Sequence, residues 1–187
     1  MVVVGITGGI GSGKSYVCTI YEKMGIPVYN SDIEAKQLMN NSIELKNELT
    51  QEFGTMYNQN GLDREKLGAI VFNDKKKLEK LNAIVHPRVR HHFDNWKNDQ
   101  TSDIIIKEAA ILIESGAYKQ VDKIGLVTAP LELKIERVQK RDNFTRTQIE
   151  NRINKQLSDN EKLKYADFVI NNNRSQLLLP QLLAIYE

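Results

Sequence analysis

The fold is decided by a glycine-rich stretch near the N-terminus, Gly8-Gly9-Ile10-Gly11-Ser12-Gly13-Lys14-Ser15. This stretch matches the pattern G-x-x-x-x-G-K-[ST], in which glycines reach left-handed conformations and backbone N–H groups close around phosphate oxygens. A β-branched run from Val2 to Thr7 predicts a buried strand before the loop, and the spacing from Lys14 to Met24 predicts a helix after it. The order strand, glycine loop, helix predicts that the chain binds a nucleoside triphosphate.

Each polar position of this loop has an expected role. Lys14 is expected to place its positive charge on the β- and γ-phosphates, and Ser15 to offer its hydroxyl to Mg²⁺. A guanine-specific GTPase is disfavoured, because the nearest match to Asn-Lys-x-Asp ends in Leu157 instead of aspartate. A nucleoside triphosphate and Mg²⁺ are therefore the predicted co-substrate and metal. The residues predicted to bind the nucleotide are Gly9, Ile10, Gly11, Ser12, Gly13, Lys14, Ser15 and Tyr16.

Strands and helices alternate outward from the loop. Further strands are predicted at Ile26 to Asn30, Asp103 to Lys107, Lys123 to Thr128 and Phe168 to Asn171. Helical stretches separate them, which predicts an α/β fold with a mainly parallel sheet.

Two regions interrupt this alternation. From Asp32 to Asn98 no strand is convincing, and helix starts are indicated at Asp63, Asn73 and Pro87, so this region is predicted to be an inserted helical subdomain. The second region, Pro130 to Gln156, holds seven basic and four acidic residues, a net charge of +3 against +2 for the whole chain.

Two features each leave two interpretations open. Asp32, two residues after the second predicted strand, is either a carboxylate that accepts a proton from an attacking hydroxyl or the N-cap of a helix beginning at Ile33. The basic stripe of Lys134, Arg137 and Arg141 is either a solvated helix face or a source of guanidinium charge for phosphoryl transfer. On a helix its apolar side is predicted to consist of Leu131, Ile135 and Val138.

Composition excludes several classes. The 187 residues are 41% hydrophobic and 27% charged, which excludes collagen-like, low-complexity and disordered chains. A net charge of +2 requires neither a nucleic acid nor a membrane as partner. The single cysteine, Cys18, cannot form an internal disulfide, and His91 and His92 lack acidic neighbours at ligand spacing. The N-terminus lacks the charged region of a signal peptide, so a cytoplasmic location is predicted.

Several segments in order resemble one known family. The run from Ile6 to Ser15 has the form of its phosphate loop, Asp32 stands at its catalytic aspartate, and Asn60 to Leu67 with Val71-Phe72 matches its Gly-Leu-Asp-Arg segment. Its His-Pro segment is matched by Ile84 to Arg90, and its last strand by Ala166 to Asn172. Its lid arginines are matched by Arg141-Asp142 and by Arg152 to Gln156. This ordered set resembles the dephospho-CoA kinase family.

The resemblance implies a P-loop NTPase-type three-layer fold with a five-stranded parallel sheet, an inserted helical CoA domain and a helical lid. The implied nucleotide-binding core is residues 1–31, 99–129 and 166–187. Residues 32–98 become the acceptor domain, and residues 130–165 become a basic lid that closes over ATP and excludes water.

The implied activity is ATP-dependent phosphorylation of the ribose 3′-hydroxyl of dephospho-CoA, the final step of CoA biosynthesis. Asp32, Lys14, Arg141 and Arg137 are the implied catalytic residues, and Asp32, Arg64, His86 and Arg88 the implied acceptor-binding residues. For His86 a residue at the entry of a helix beginning at Pro87 is the alternative. Another small-molecule P-loop kinase, with a nucleoside monophosphate or sugar acceptor, and an ATP-sensing switch remain open as alternative functions.

The chain departs from the family pattern in three places. Glu108 begins Glu108-Ala-Ala-Ile-Leu-Ile-Glu114, where the family commonly has Asp-x-Pro-Leu-Leu-Phe-Glu. Asn30-Ser31-Asp32 stands where Asp-Ala-Asp is usual, and Tyr16 where threonine is common. None of these changes removes Lys14 or Asp32.

Overall fold

The computed structural model describes residues 1–71 and 74–186. Phe72 and Asn73, which the sequence placed in a family segment and at a helix start, lie outside the described residues. The chain forms two compact units, one made of Met1–Asn30 with Gln100–Glu187 and the other of Ser31–Asp99. In the described part of the chain, no helix combines the length and the apolar character needed to cross a membrane.

The strands are β1 (Val2–Thr7), β2 (Val28–Asn30), β3 (Tyr57–Asn58), β4 (Gly61–Leu62), β5 (Ile104–Glu108), β6 (Lys123–Thr128) and β7 (Phe168–Asn171). The α-helices are α1 (Lys14–Lys23), α2 (Ser31–Asn41), α3 (Ile43–Phe53), α4 (Arg64–Val71), α5 (Lys75–Asn98), α6 (Leu131–Asp142), α7 (Arg146–Ile153), α8 (Asp159–Leu163) and α9 (Leu178–Leu182). Short 3₁₀ helices cover Ala117–Gln120 and Leu183–Tyr186.

The first unit is built on a five-stranded sheet in the order β2-β5-β1-β6-β7. All four strand pairs in it are parallel, which confirms the predicted sheet. Strand β1 lies at the centre, and its Val4 and Ile6 are fully buried because α1 and the C-terminal segment pack over them. The opposite face is covered by Leu112 and Val121, which pack against the position of Gly5.

The second unit contains α2 to α5 and a small antiparallel hairpin of β3 and β4. Its core is formed by Met56, Leu62, Leu67 and Val71, with α2, α3 and α4 all in contact with the long helix α5. The hairpin was not predicted, because strands of two residues leave no hydrophobic alternation to detect.

One prediction for the insertion was wrong: Pro87 does not open a helix but lies inside the 24-residue helix α5. His86 is therefore not at a helix entry. Proline cannot donate a backbone hydrogen bond, and here the Arg88 side chain donates to the carbonyl of Ile84, 2.8 Å away, one turn earlier on the same helix.

The N-cap interpretation of Asp32 was also wrong, and so was one of the three apolar positions expected on α6. Helix α2 begins at Ser31, so Asp32 lies in its first turn and is not the N-cap of a helix beginning at Ile33. On α6, Leu131 is 50% exposed while Leu133 and Lys134 are buried, so the apolar side is rotated from the expected one. Lys134 is buried because an acidic partner reaches it, as described below.

Candidate active site

The glycine loop is packed closely against the rest of the first unit. Gly11 and Gly13 have positive φ angles of 79° and 93°. A Cβ atom at Gly13 would lie 2.1 Å from Nδ2 of Asn172, and one at Gly11 would lie 2.4 Å from the carbonyl oxygen of Lys134. Glycine is required at both positions, for conformation and for space. Gly13 is also the N-cap of α1, so the free N–H groups of that helix point into the loop.

Lys14 is held at this loop rather than extended into solvent. Its Nζ donates a hydrogen bond of 2.9 Å to the carbonyl oxygen of Gly8, and the residue is 9% exposed. The loop is closed further by a bond of 3.1 Å from the N–H of Ser12 to the carbonyl oxygen of Gly9. A buried ammonium group held at a glycine loop that leads into a helix N-terminus suits an anion such as a phosphate.

A polar cluster lies next to Lys14 where the strands end. Ser15 Oγ donates to Oε1 of Glu108 at 3.1 Å, and Nδ2 of Asn30 donates to Oε2 of the same carboxylate. Glu108 is 4% exposed. One turn along α1, burial and the nearby Glu108 charge raise the pKa of Cys18, which keeps that thiol neutral.

This donor set fits Mg²⁺. Mg²⁺ prefers hard oxygen ligands, keeps several waters and is usually bound through one or two carboxylates together with substrate phosphates. Ser15 and Glu108 supply one hydroxyl and one carboxylate side by side. Among residues 1–71 and 74–186, no group of three or more His, Cys, Asp or Glu side chains is arranged to hold a metal ion.

Arg137 binds the carbonyl side of the loop. Its Nη1 donates to the carbonyl oxygens of Gly11 and Ser12 at 3.3 and 3.2 Å, and its Nη2 donates to the backbone and side-chain oxygens of Asn172 at 3.0 and 3.1 Å. Asn172 Nδ2 in turn donates to Ser12 at 2.9 Å. Burial and nearby Arg174 lower the pKa of Arg137. The guanidinium group therefore stabilises the loop through the backbone carbonyl oxygens of Gly11 and Ser12.

Arg141, one helical turn after Arg137, is exposed and pairs with its neighbour. Its Nε and Nη2 donate to the two carboxylate oxygens of Asp142 at 2.8 and 2.7 Å. This pairing raises the pKa of Arg141 and lowers the pKa of Asp142. Both side chains lie at the end of α6, in the region predicted to form a lid.

The chain after α7 is attached to the loop by side chains that sequence reasoning missed. Gln156 Oε1 accepts a bond of 3.0 Å from the N–H of Ile10, and buried Lys134 pairs with Asp159 at 2.5 Å. Lys162, fully buried, pairs with Glu114 at 3.0 Å. No sequence signal could have found these contacts, because each is a single polar residue paired with a distant one.

The predicted ATP-binding residue Tyr16 is exposed on α1, and the predicted acceptor-binding residues lie in the second unit. Asp32 is exposed in the first turn of α2, and Arg64 is exposed at the start of α4. His86 is half-buried on α5, where burial and the nearby charge of Arg90 lower its pKa. Arg88 pairs with Glu48 of α3, so at least part of its role is to join two helices of this unit.

The parallel sheet, the glycine loop that follows its central strand and the lysine held inside that loop define a P-loop protein that binds a nucleoside triphosphate. A sequence model of the dephospho-CoA kinase family matches residues 2–177. The chain belongs to the dephospho-CoA kinase family, as the resemblance predicted.

Individual relatives agree with this assignment. The chain is 44% identical over 184 residues to a dephospho-CoA kinase of Bacteroides fragilis, a match that covers 97% of this chain and 90% of that protein. The crystal structure of TT1252 from Thermus thermophilus superposes with a TM-score of 0.89 at 32% identity, over 99% of this chain and 95% of that chain. A dephospho-CoA kinase from Campylobacter jejuni has a TM-score of 0.70 at 28% identity, over 98% and 94%.

Proposed function

We propose that the chain transfers the γ-phosphoryl group of ATP to the 3′-hydroxyl of the ribose in dephospho-CoA, giving coenzyme A and ADP. The observation that carries the proposal is the family match across residues 2–177, joined to a glycine loop that holds Lys14 and adjoins Ser15 and Glu108. The same geometry serves other small-molecule kinases, so the acceptor is what an experiment must test.

In this proposal Lys14 and Ser15 act on the phosphates of ATP. Lys14 neutralises charge on the β- and γ-phosphates, because its ammonium group is already held at the loop. Ser15 and Glu108 would hold Mg²⁺, which supplies further positive charge to the phosphates when bound.

In this proposal Asp32 acts on the acceptor. We infer that its carboxylate orients the ribose hydroxyl and takes its proton as the hydroxyl oxygen bonds to the γ-phosphorus. The bond from that phosphorus to the bridging oxygen then breaks, and ADP leaves with the electron pair. Arg64, His86 and Arg88 are the proposed acceptor-binding residues, with Arg88 acting partly through its pair with Glu48.

Arg137 and Arg141, the two arginines of α6, have different roles in this proposal. Arg141 supplies guanidinium charge to the transferred phosphoryl group once it leaves Asp142, since its exposed side chain can reorient. Arg137 acts mainly by holding the carbonyl side of the loop in place.

An acceptor panel tests the proposed function. ADP release is followed in a coupled assay with dephospho-CoA, AMP, dTMP and shikimate, each at equal concentration with ATP and Mg²⁺. We expect turnover with dephospho-CoA and only background ADP release with the other three. Turnover with AMP, dTMP or shikimate instead assigns the chain to another kinase type, and tight ATP binding with no accelerated ADP release favours an ATP-sensing switch.

Replacing Arg141 with glutamine is expected to lower kcat by about 10- to 1,000-fold with little change in the KM for dephospho-CoA, since the lost charge acts on the phosphoryl group. Steady-state kinetics measure both parameters. Arg146→Gln is the matched control, because Arg146 is similarly exposed in the same region and pairs with Glu132 and Glu150. A raised KM with unchanged kcat in Arg141→Gln would place Arg141 in the acceptor site instead.

A further inference from the structure

Two of the departures from the family pattern are direct neighbours in the sheet. Asn30 at the end of β2 and Glu108 at the end of β5 are paired in register across the parallel strands. Nδ2 of Asn30 donates a hydrogen bond to Oε2 of Glu108. The two unusual residues therefore contact each other, although 78 positions separate them in the chain.

Asn30 and Glu108 form a donor–acceptor pair that carries a single negative charge. With aspartate at position 30, two carboxylates would face each other in a site where Glu108 is 4% exposed, and like charges at short range oppose ionisation. Asparagine supplies a donor instead and leaves one negative charge. The longer glutamate side chain also reaches Ser15, so a single carboxylate connects the end of β2 with the start of α1.

We propose that Asn30 is a positioning residue for Glu108. By holding Oε2, Asn30 orients Oε1 toward Ser15 Oγ, the hydroxyl assigned above to Mg²⁺. The pair keeps one fixed carboxylate beside the metal position. The inference rests on the proposed function only for the place of Mg²⁺, and it is independent of the acceptor.

The test measures how much Mg²⁺ strengthens nucleotide binding, as the ratio of the ATP dissociation constants in EDTA and in excess Mg²⁺. Isothermal titration gives both constants without any acceptor or turnover. Asn30→Ala is expected to lower this ratio by about 3- to 10-fold, the usual net scale of one lost hydrogen bond, and to leave the dissociation constant in EDTA unchanged. Asn171→Ala is the matched control, an asparagine at the end of β7 that bonds to Thr128.

Dependence on Glu108 separates positioning from general structural support. In a Glu108→Gln background, Asn30→Ala is expected to cause no further loss of the ratio, because the carboxylate that it orients is gone. An undiminished effect of Asn30→Ala in that background, or an unchanged ratio in the single variant, overturns the proposal.

A charge exchange within the pair gives a second readout that preserves side-chain volume. Asn30→Asp alone is expected to lower the midpoint of thermal unfolding, since two carboxylates then meet. Asn30→Asp combined with Glu108→Gln is expected to recover the midpoint, because the glutamine amide can donate to the new aspartate while its oxygen still accepts from Ser15. Failure of the double variant to recover would contradict the pairing, even if Asn30→Ala does not fold. If the acceptor panel shows no turnover with dephospho-CoA while the Asn30 and Glu108 variants behave as expected, only the proposed acceptor is wrong. The positioning of Glu108 by Asn30 then stands.

Discussion

Replacing Lys14 with alanine is expected to lower kcat by about 10²- to 10⁴-fold, because the change removes the positive charge that neutralises the β- and γ-phosphates during phosphoryl transfer. The ammonium group lies 2.9 Å from the Gly8 carbonyl and is 9% exposed, so no reorganisation is needed to bring it to the loop. Such preorganised charge in a site shielded from water stabilises a transition state far more than the same charge in solution.

Kinetics of Lys14→Ala should be measured beside Lys14→Met, which keeps most of the aliphatic chain and so separates lost charge from lost packing. Lys23→Ala is the matched control, since Lys23 is an exposed lysine in the last turn of the same helix α1. Circular dichroism is expected to show an intact fold in all three variants. Full activity of Lys14→Ala would refute the assignment of the phosphate loop.

The sheet could be predicted from sequence because its strands are continuous apolar runs. The bounds predicted for β1, β6 and β7 agree with the structure, since these buried parallel strands are rich in Val and Ile and are bordered by clear breaks. Strand β2 was predicted two residues too long at its start, because Ile26 and Pro27 are apolar but lie outside the strand. Apolar character alone does not distinguish a strand from the turn that leads into it.

The inserted region shows where local signals fail. Pro87 has the features of a helix start, yet α5 continues through it. Contacts of α5 with three other helices of its unit stabilise a single long helix against the cost of one proline. Tertiary packing decided this element, and a single sequence contains no local record of such packing.

At the site, the loop residues were predictable and their supports were not. Lys14 and Ser15 belong to a contiguous motif whose physics is known. Arg137 was predicted to act on phosphates, whereas in the structure it binds loop carbonyls and Asn172, 35 positions away. The bond from the N–H of Ile10 to Gln156 spans 146 positions. Neither pairing has a spacing rule, so only the folded structure reveals them.

Replacing Asp32 with asparagine is expected to preserve ATP binding and to lower kcat by about 10²- to 10⁴-fold, the usual contribution of a positioned general base. The amide has nearly the same shape as the carboxylate but cannot accept the proton of the ribose hydroxyl. Glu34→Gln is the matched control: both acids lie in the first turn of α2, so each substitution removes one negative charge from the same helix N-terminus.

Comparison of the two variants separates catalysis from helix stability. Because Asp32 is not the N-cap of α2, its loss is expected to lower the melting midpoint no more than the loss of Glu34, which also pairs with His92 at 3.8 Å. A large fall in kcat confined to Asp32→Asn, with equal ATP dissociation constants by titration, assigns the proton transfer to Asp32. Equal and small kinetic effects in both variants would instead reduce Asp32 to a residue that stabilises the start of α2.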